Sequence, residues 1–446
     1  MNAPTKAGNE TSVTRRDFLK TTSAVVAGAS VLGGLSVERS AFAAGSDTLK
    51  IALVGCGGRG SGAASQALST EGSVKLVAMA DVFKDHLEGS LRTLSEKHKD
   101  RVDVPPDRRF VGWDAYKQAI ALADVVILAT PPGFRPMTFE EAVKQGKHIF
   151  TEKPVATDAP GIRRFLAAAE ESKKKNLKVT VGLQRHYDEG YRETIQRLHD
   201  GAIGDIVAMR CYWNGETPWT HPRAELEKQY GRKLTEMEYQ MRNWYYFTWI
   251  CGDHIVEQHI HNLDVINWVK KGPPVRAQGM GGCEVRKGLD NGEIFDHHAV
   301  EFEYADGSRC FSFCRHIHGC WNSVSEHVVG TKGTCDVSGH IIRGATPWRF
   351  KRAGVKDAYQ QEHDELFDAI RNDKPRNDAE YGATSTMTAI LGRLCTYSGK
   401  MIEWEDAMKS NINLFPDALA WDANPKVMPN AEGLYKLAVP GHTITV

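Results

Sequence analysis

This chain of 446 residues is notable first for what it lacks. It has no net charge: 56 Lys and Arg stand against 56 Asp and Glu. With no basic field, nothing holds nucleic-acid phosphates or an anionic lipid surface. The apolar run Thr21 to Leu35 is about 15 residues, short of the ~20 that a spanning helix needs. There is no internal repeat, and no low-complexity tract beyond that run. Nine cysteines form no tight framework. The closest set, Cys310, Cys314 and Cys320, reads mainly as small buried strand residues in a chain too long to depend on disulfides. Zinc-protease spacing is absent too: His254-x-x-Glu257-x-x-x-His261 fits neither H-E-x-x-H nor H-x-x-E-H. His297-His298 and His316-x-His318 read as strand residues, so no catalytic metal is expected.

The amino terminus does carry a pattern. Thr14 to Lys20 reads TRRDFLK, the soft run Thr21 to Leu35 follows, and Ala41-Phe42-Ala43 offers an A-x-A cleavage site. Charged, apolar and small-residue regions in that order make a signal peptide. The paired Arg15-Arg16 resembles the twin-arginine export signal, whose translocase carries folded proteins. No cysteine follows the run to accept a lipid. Residues 1–43 are therefore expected to be removed, leaving a periplasmic or secreted protein with no membrane anchor. About 400 residues remain, the length of two domains.

Leu49 to Cys56 (LKIALVGC) is an apolar strand run, followed at once by Gly55-Cys56-Gly57-Gly58-Arg59-Gly60 and a helix-like SGAASQALST. This is G-x-G-x-x-G between a strand and a helix. The first glycine makes the tight turn, the second admits a pyrophosphate, and the third lets helix and strand pack. The helix amino terminus offers free N–H groups to phosphate. A second strand run, Val74 to Ala80, ends in Asp81, 21 residues past Gly60. A carboxylate there suits the ribose hydroxyls of NAD and repels the extra phosphate of NADP, although Lys84 leaves NADP possible. Asp81 could instead simply cap the next helix. Strands at Ala123 to Thr130 (before Pro131), His148 to Thr151 and Val179 to Leu183 alternate with helical stretches, which argues for a parallel sheet covered on both faces.

Glu152-Lys153-Pro154 follows the fourth of these strands. Pro154 keeps Lys153 out of helical geometry, placing it at a strand end, where doubly wound sheets bind ligands. Further on, apolar spacing predicts one helix from about His254 to Lys270, ended by Gly272-Pro273. On such a helix His254, Glu257, His261 and Asp264 share a face. A titratable stripe on an apolar helix is a candidate acid/base site.

Together the glycine loop, Asp81, Glu152-Lys153-Pro154 and Glu257-x-x-x-His261-x-x-Asp264 resemble the glucose–fructose oxidoreductase/inositol dehydrogenase/MocA (Gfo/Idh/MocA) family over roughly residues 48–400. The resemblance implies an α/β chain in which an NAD-binding Rossmann domain (48–183) precedes an α/β substrate and oligomerisation domain (184–400). That second domain has a large, open, mostly antiparallel mixed sheet, and residues 401–446 form a surface tail. It implies a nicotinamide cofactor held by Gly55, Gly57, Gly58, Arg59, Gly60, Asp81, Thr130, Pro131, Glu152 and Lys153. It also implies catalysis by Lys153 and His261, with Glu257 orienting or tuning the histidine; the family has Asp where this chain has Glu257. Arg185, Tyr187 and Asp264 are the implied substrate contacts, although Arg185 and Tyr187 read equally as a domain-junction salt bridge and a packed tyrosine; Trp244 joins them from the aromatic stretch that follows, and a carbohydrate is the implied substrate. Related NAD-dependent glycosidases are the alternative, but Lys153, which they lack, favours an oxidoreductase.

Between Trp213 and Trp249 lies a stretch dense in aromatics, with His221, Arg223, Arg242 and Asn243. It suits a sugar pocket, a subunit interface or plain core packing. Alternation over residues 275–350 predicts antiparallel strands. The family covers such a sheet with another subunit, so a homo-oligomer is expected.

Overall fold

The computed structural model describes residues 48–351 and 353–446. The signal segment read above lies outside them. The first half alternates strictly: β1 (Leu49–Val54), α1 (Gly58–Leu68), β2 (Val74–Asp81), α2 (Lys84–Lys97), β3 (Arg109–Val111), α3 (Ala115–Ala121), β4 (Val125–Leu128), α4 (Arg135–Lys144), β5 (His148–Thr151), α5 (Ala159–Lys174) and β6 (Val179–Val181). The six strands pair in parallel in the order β3-β2-β1-β4-β5-β6. Successive residues of β1 feed different cores. Ile51 and Leu53 pack with Ala63, Ala64 and Ala67 of α1, while Ala52 and Val54 join the other face. A sheet buried on both faces needs such a continuous apolar run. The strand order reverses between β1 and β4, and this opens a crevice at their carboxyl ends.

The second half continues with α6 (Glu189–His199), β7 (Ile206–Gly215), α7 (Arg223–Tyr230), α8 (Glu236–Arg242), α9 (Thr248–Cys251), α10 (His254–Glu257) and α11 (Ile260–Lys270). Then come β8 (Arg276–Gly282), β9 (His297–Glu303), β10 (Arg309–His316), β11 (Ser323–Gly330), β12 (Gly333–Asp336), β13 (Ile341–Gly344) and β14 (Trp348–Arg349). The chain closes with α12 (Ala358–Arg371), α13 (Ala379–Ser398), β15 (Ile402–Glu403) and α14 (Trp404–Lys409), followed by a loop-rich tail. The nine-stranded sheet runs β14-β13-β12-β11-β7-β10-β9-β8-β15. Only β7 and β10 pair in parallel; every other neighbouring pair is antiparallel. Helices α11 and α13 cover one face. Helix α12 returns to the Rossmann half, where Leu366, Phe367 and Ile370 enter the core beside α1.

The single helix expected over His254 to Lys270 is two. Helix α10 stops at Glu257, and the ladder slips: His259 N–H donates back to His254 O at 3.2 Å and His261 N–H to Gln258 O at 3.2 Å. His259 holds the break, with its buried ring 2.7 Å from Ser312 Oγ on β10.

Candidate active site

The glycine loop has the shape its spacing implies. Gly55 has φ +92°, and a Cβ there would lie 2.5 Å from Thr130 N. At Gly60 a Cβ would lie 2.0 Å from Gly55 O, so only glycine lets α1 approach β1 so closely. Around Gly57 and Gly58 the space is open. The amino terminus of α1, which has no side-chain cap, points its free N–H groups there. The residues thus fit a dinucleotide pyrophosphate: the cradle is made by the absence of side chains.

Asp81 at the end of β2 braces this loop. Its Oδ2 accepts from Cys56 N–H at 2.7 Å and its Oδ1 from Phe83 N–H at 2.8 Å. Each oxygen keeps a lone pair for a ribose hydroxyl. Burial raises its pKa, against those two backbone bonds. Thr130 and Pro131 line the slot beyond Asp81, and Thr130 Oγ1 is buried without a partner. On the other side Arg59 pairs with Glu152, reaches Glu362 at 3.4 Å, and lies over the Tyr359 ring.

Lys153 follows β5 directly. Its ammonium donates to Glu257 Oε1 at 3.0 Å and to the Glu257 carbonyl at 2.5 Å. Both side chains are 13% exposed, so the pair faces the cleft from a nearly dry setting. Arg135, buried, stands under this turn and donates to Pro154 O at 2.5 Å. Burial pulls its pKa down to about 10, against the carboxylates of Glu152 and Glu257. His261 opens onto the same place from the first turn of α11. Its ring stacks at 5.9 Å on Trp213, and its Nδ1 has no hydrogen-bond partner. Burial, and then the charges of Lys153, Arg185 and Arg59, push its pKa well below the usual histidine value. The imidazole is therefore neutral, as a proton acceptor must be.

The structure thus brings Lys153, Glu257 and His261 together, but with changed relations. Glu257 bonds Lys153, not His261. His254, expected on the same stripe, is completely buried, with Nδ1 2.8 Å from Asp253 Oδ1 and its ring stacked on His316. Asp264 does not reach the cleft: its Oδ2 is 2.9 Å from His186 Nε2, and its Oδ1 accepts from Ser385 at 2.7 Å. Tyr187 is likewise buried, its hydroxyl held by Asp378 and by Arg376 at 2.9 Å. Both are junction anchors, because each polar atom is already matched inside the fold. Arg185 bonds Glu326, which also accepts from Asn262 at 2.5 Å. Trp244 is half-buried, 5.7 Å from both Trp219 and Tyr245. Spacing gave no sign of Arg135, Glu326 or Glu362, since each meets the site only through the tertiary fold.

Asp253 organises the approach to Glu257. It has φ +78°, a conformation costly for a non-glycine residue. Its Oδ1 accepts from His254 N–H and lies 3.3 Å from His298 Nε2, and its Oδ2 accepts from Phe295 N–H and Tyr397. Among the described residues no helix is long and apolar enough to cross a membrane.

Comparison with known proteins agrees with this geometry. Residues 49–182 match the oxidoreductase family with an NAD-binding Rossmann fold, and residues 191–336 match the GFO/IDH/MocA C-terminal domain. Inositol 2-dehydrogenase of Cereibacter sphaeroides is 30% identical over 291 residues, covering 64% of this chain and 73% of that protein. The enzyme of that name from Ralstonia nicotianae is 26% identical over 262 residues, covering 59% of this chain and 66% of its own length. For the Burkholderia multivorans enzyme the match spans 57% of that protein. Among solved structures, apo scyllo-inositol dehydrogenase from Lactobacillus casei has TM-score 0.60 at 20% identity, over 81% of this chain and 100% of that one. Aldose-aldose oxidoreductase from Caulobacter crescentus has TM-score 0.62 at 17% identity, over 80% and 100%. At those identities the structures speak for the fold, and the two matched domains carry the rest. With a Rossmann cradle, a Glu-Lys-Pro turn and an open mixed sheet in one chain, this protein belongs to the Gfo/Idh/MocA oxidoreductase family.

Proposed function

We propose that this protein is an exported NAD-dependent oxidoreductase that moves hydride between a tightly held nicotinamide and a hydroxyl or carbonyl of a sugar or polyol. The observation that carries this reading is the Lys153–Glu257 pair together with a neutral His261 whose Nδ1 has no hydrogen-bond partner, beside the dinucleotide cradle. Bound NAD supplies the hydride acceptor. Neutral His261 accepts the hydroxyl proton of the substrate. Lys153 donates a hydrogen bond to the same oxygen and stabilises its developing negative charge. Glu257 fixes the Lys153 ammonium and balances its charge. Arg185 and Trp244 remain candidate substrate contacts, although Arg185 is already paired with Glu326. That the relatives are named inositol dehydrogenases supports a polyol or sugar as substrate.

The test is turnover of candidate polyols and sugars by His261→Ala and Lys153→Ala, alongside NADH titration. Both variants should bind NADH and lose turnover by about 10²-fold or more. Near-wild-type turnover in both would sink the assignment. Export is tested separately: Arg15→Lys with Arg16→Lys should leave the protein in the cytoplasm. A homo-oligomer that covers the open face of the second sheet completes the reading.

A further inference from the structure

The stretch between β7 and α9 and the tail after α14 meet at one place. With Phe83 and Phe134 of the Rossmann half they form a separate buried core, to which Met237, Tyr239 and Met241 contribute from α8 and Tyr435 from the tail. The tail lies outside both matched family domains. This core backs the slot beyond Asp81, whose lining includes Asp81, Val82, Trp113, Thr130 and Phe134, and also Met241. A carboxylate at the end of the second strand marks where the adenosine ribose of a dinucleotide binds.

The packing is specific. Trp421 of the tail lies 4.7 Å from the Trp113 ring and 5.3 Å from Phe83. Phe415 meets Phe134 edge-on at 5.3 Å and Trp249 at 5.7 Å. Arg242, at the end of α8, lies over Phe83 at 3.6 Å and forks onto Asp85 at 2.6 and 3.1 Å. Gln240 Nε2 donates to Val427 O at 2.7 Å, joining α8 to the tail. Two atoms of slot-lining residues are buried without partners: Trp113 Nε1 and Thr130 Oγ1. An unmatched indole donor and an unmatched hydroxyl are costly unless a ligand meets them. An aromatic wall with an unmatched indole donor and an unmatched hydroxyl suits the flat, nitrogen-rich base of an adenosine.

We propose that the α7–α8 segment and the carboxy-terminal tail complete a composite adenosine site and clasp the cofactor in it, so that NAD leaves only when the tail undocks. This rests on the NAD reading above. Met241 closes the slot directly, while Trp421 and Phe415 hold its walls Trp113 and Phe134 from behind. Release then requires breaking a buried aromatic cluster as well as the contacts of the glycine loop.

Dissociation of NADH tests this. The mature chain is loaded with NADH and diluted into excess ADP-ribose, and the loss of bound nicotinamide fluorescence is followed. Trp421→Ala should release NADH at least about tenfold faster than wild type, equivalent to one lost aromatic contact of ~1.4 kcal/mol. Phe415→Leu, a milder change that preserves the fold, should shift the rate in the same direction. Equal rates in all three proteins overturn the clasp and leave the NAD site standing. If none of the three binds NADH, the cofactor reading itself fails and the clasp with it.

Discussion

Glu257 is the residue whose role the structure changes most. Its carboxylate is one bond longer than the aspartate usual in the family, and it reaches Lys153 at 3.0 Å instead of bracing His261. Glu257→Gln should therefore act through Lys153. The ammonium would keep the carbonyl bond but lose its counter-charge, and kcat should fall by about 10²-fold. NADH affinity should stay close to wild type, which a stopped assay plus titration can read. His363 allows a second test. It stacks on Phe150 at 4.2 Å with neither ring nitrogen hydrogen-bonded, and burial pushes its pKa down to about 3. Below pH ~6.5 the unfolded chain binds a proton that the folded chain refuses. This site therefore weakens the fold as pH falls, by up to ~1.4 kcal/mol per unit until the folded value is reached. His363→Leu removes that slope. The stability of the variant relative to wild type should rise steadily from pH 7 to pH 4 in urea titrations, and a difference independent of pH would refute the assignment.

At the scale of elements, the glycine loop separates two effects that the sequence motif merges. Gly60→Ala drives a methyl to within 2.0 Å of Gly55 O, so α1 must shift. Stability should fall by about 1–3 kcal/mol and NAD binding with it. Gly57→Ala meets open space and has φ −72°, so stability should change by less than ~0.5 kcal/mol. NAD affinity should still drop at least about tenfold, because the new methyl occupies the path of the pyrophosphate. Thermal melts and NADH titration on the two variants distinguish these outcomes. The contrast also shows what was legible beforehand. Local order was: the β1–α1 turn, Asp81 at the end of β2 and Lys153 after β5 follow from strand runs and punctuation within a few residues. The break between α10 and α11 was not, because nothing between His254 and Lys270 signals it. It is imposed by Ser312, more than fifty positions away, and by Asp253 held at positive φ by Tyr397 and Phe295. The tail was unreadable for the same reason. Trp421 and Phe415 read as a loop until Trp113 and Phe134 are placed beside them.

For the whole molecule, the decisive feature is which face of the second sheet is left bare. Helix α11, which carries His261, packs against β7 and β11 on the covered face, so the site lies on that side. The opposite face presents Met280 on β8 at 77% exposure, Phe311 and Phe313 on β10 at 41% and 37%, Tyr212 on β7 stacked on Phe313, and exposed Val329 on β11. Single exposed apolar residues need no explanation, but a row across four strands of one sheet does. The face alternates cleanly, since Cys310, Ser312 and Cys314 of β10 point inward, so its apolar character is not a slip of register. In the homo-oligomer proposed above, a second copy laid on the same face would make a self-complementary contact that closes without leaving a sticky edge, and a stable one covers about 800 Å² per partner. Phe311→Glu with Phe313→Glu places two like charges on the proposed contact face and should yield a monomer by light scattering at micromolar concentration. Because these side chains face away from α11, the double variant should still bind NADH. An unchanged mass would show that something other than a second copy covers this face, and a monomer that has also lost NADH would show that the two faces of the sheet are not independent.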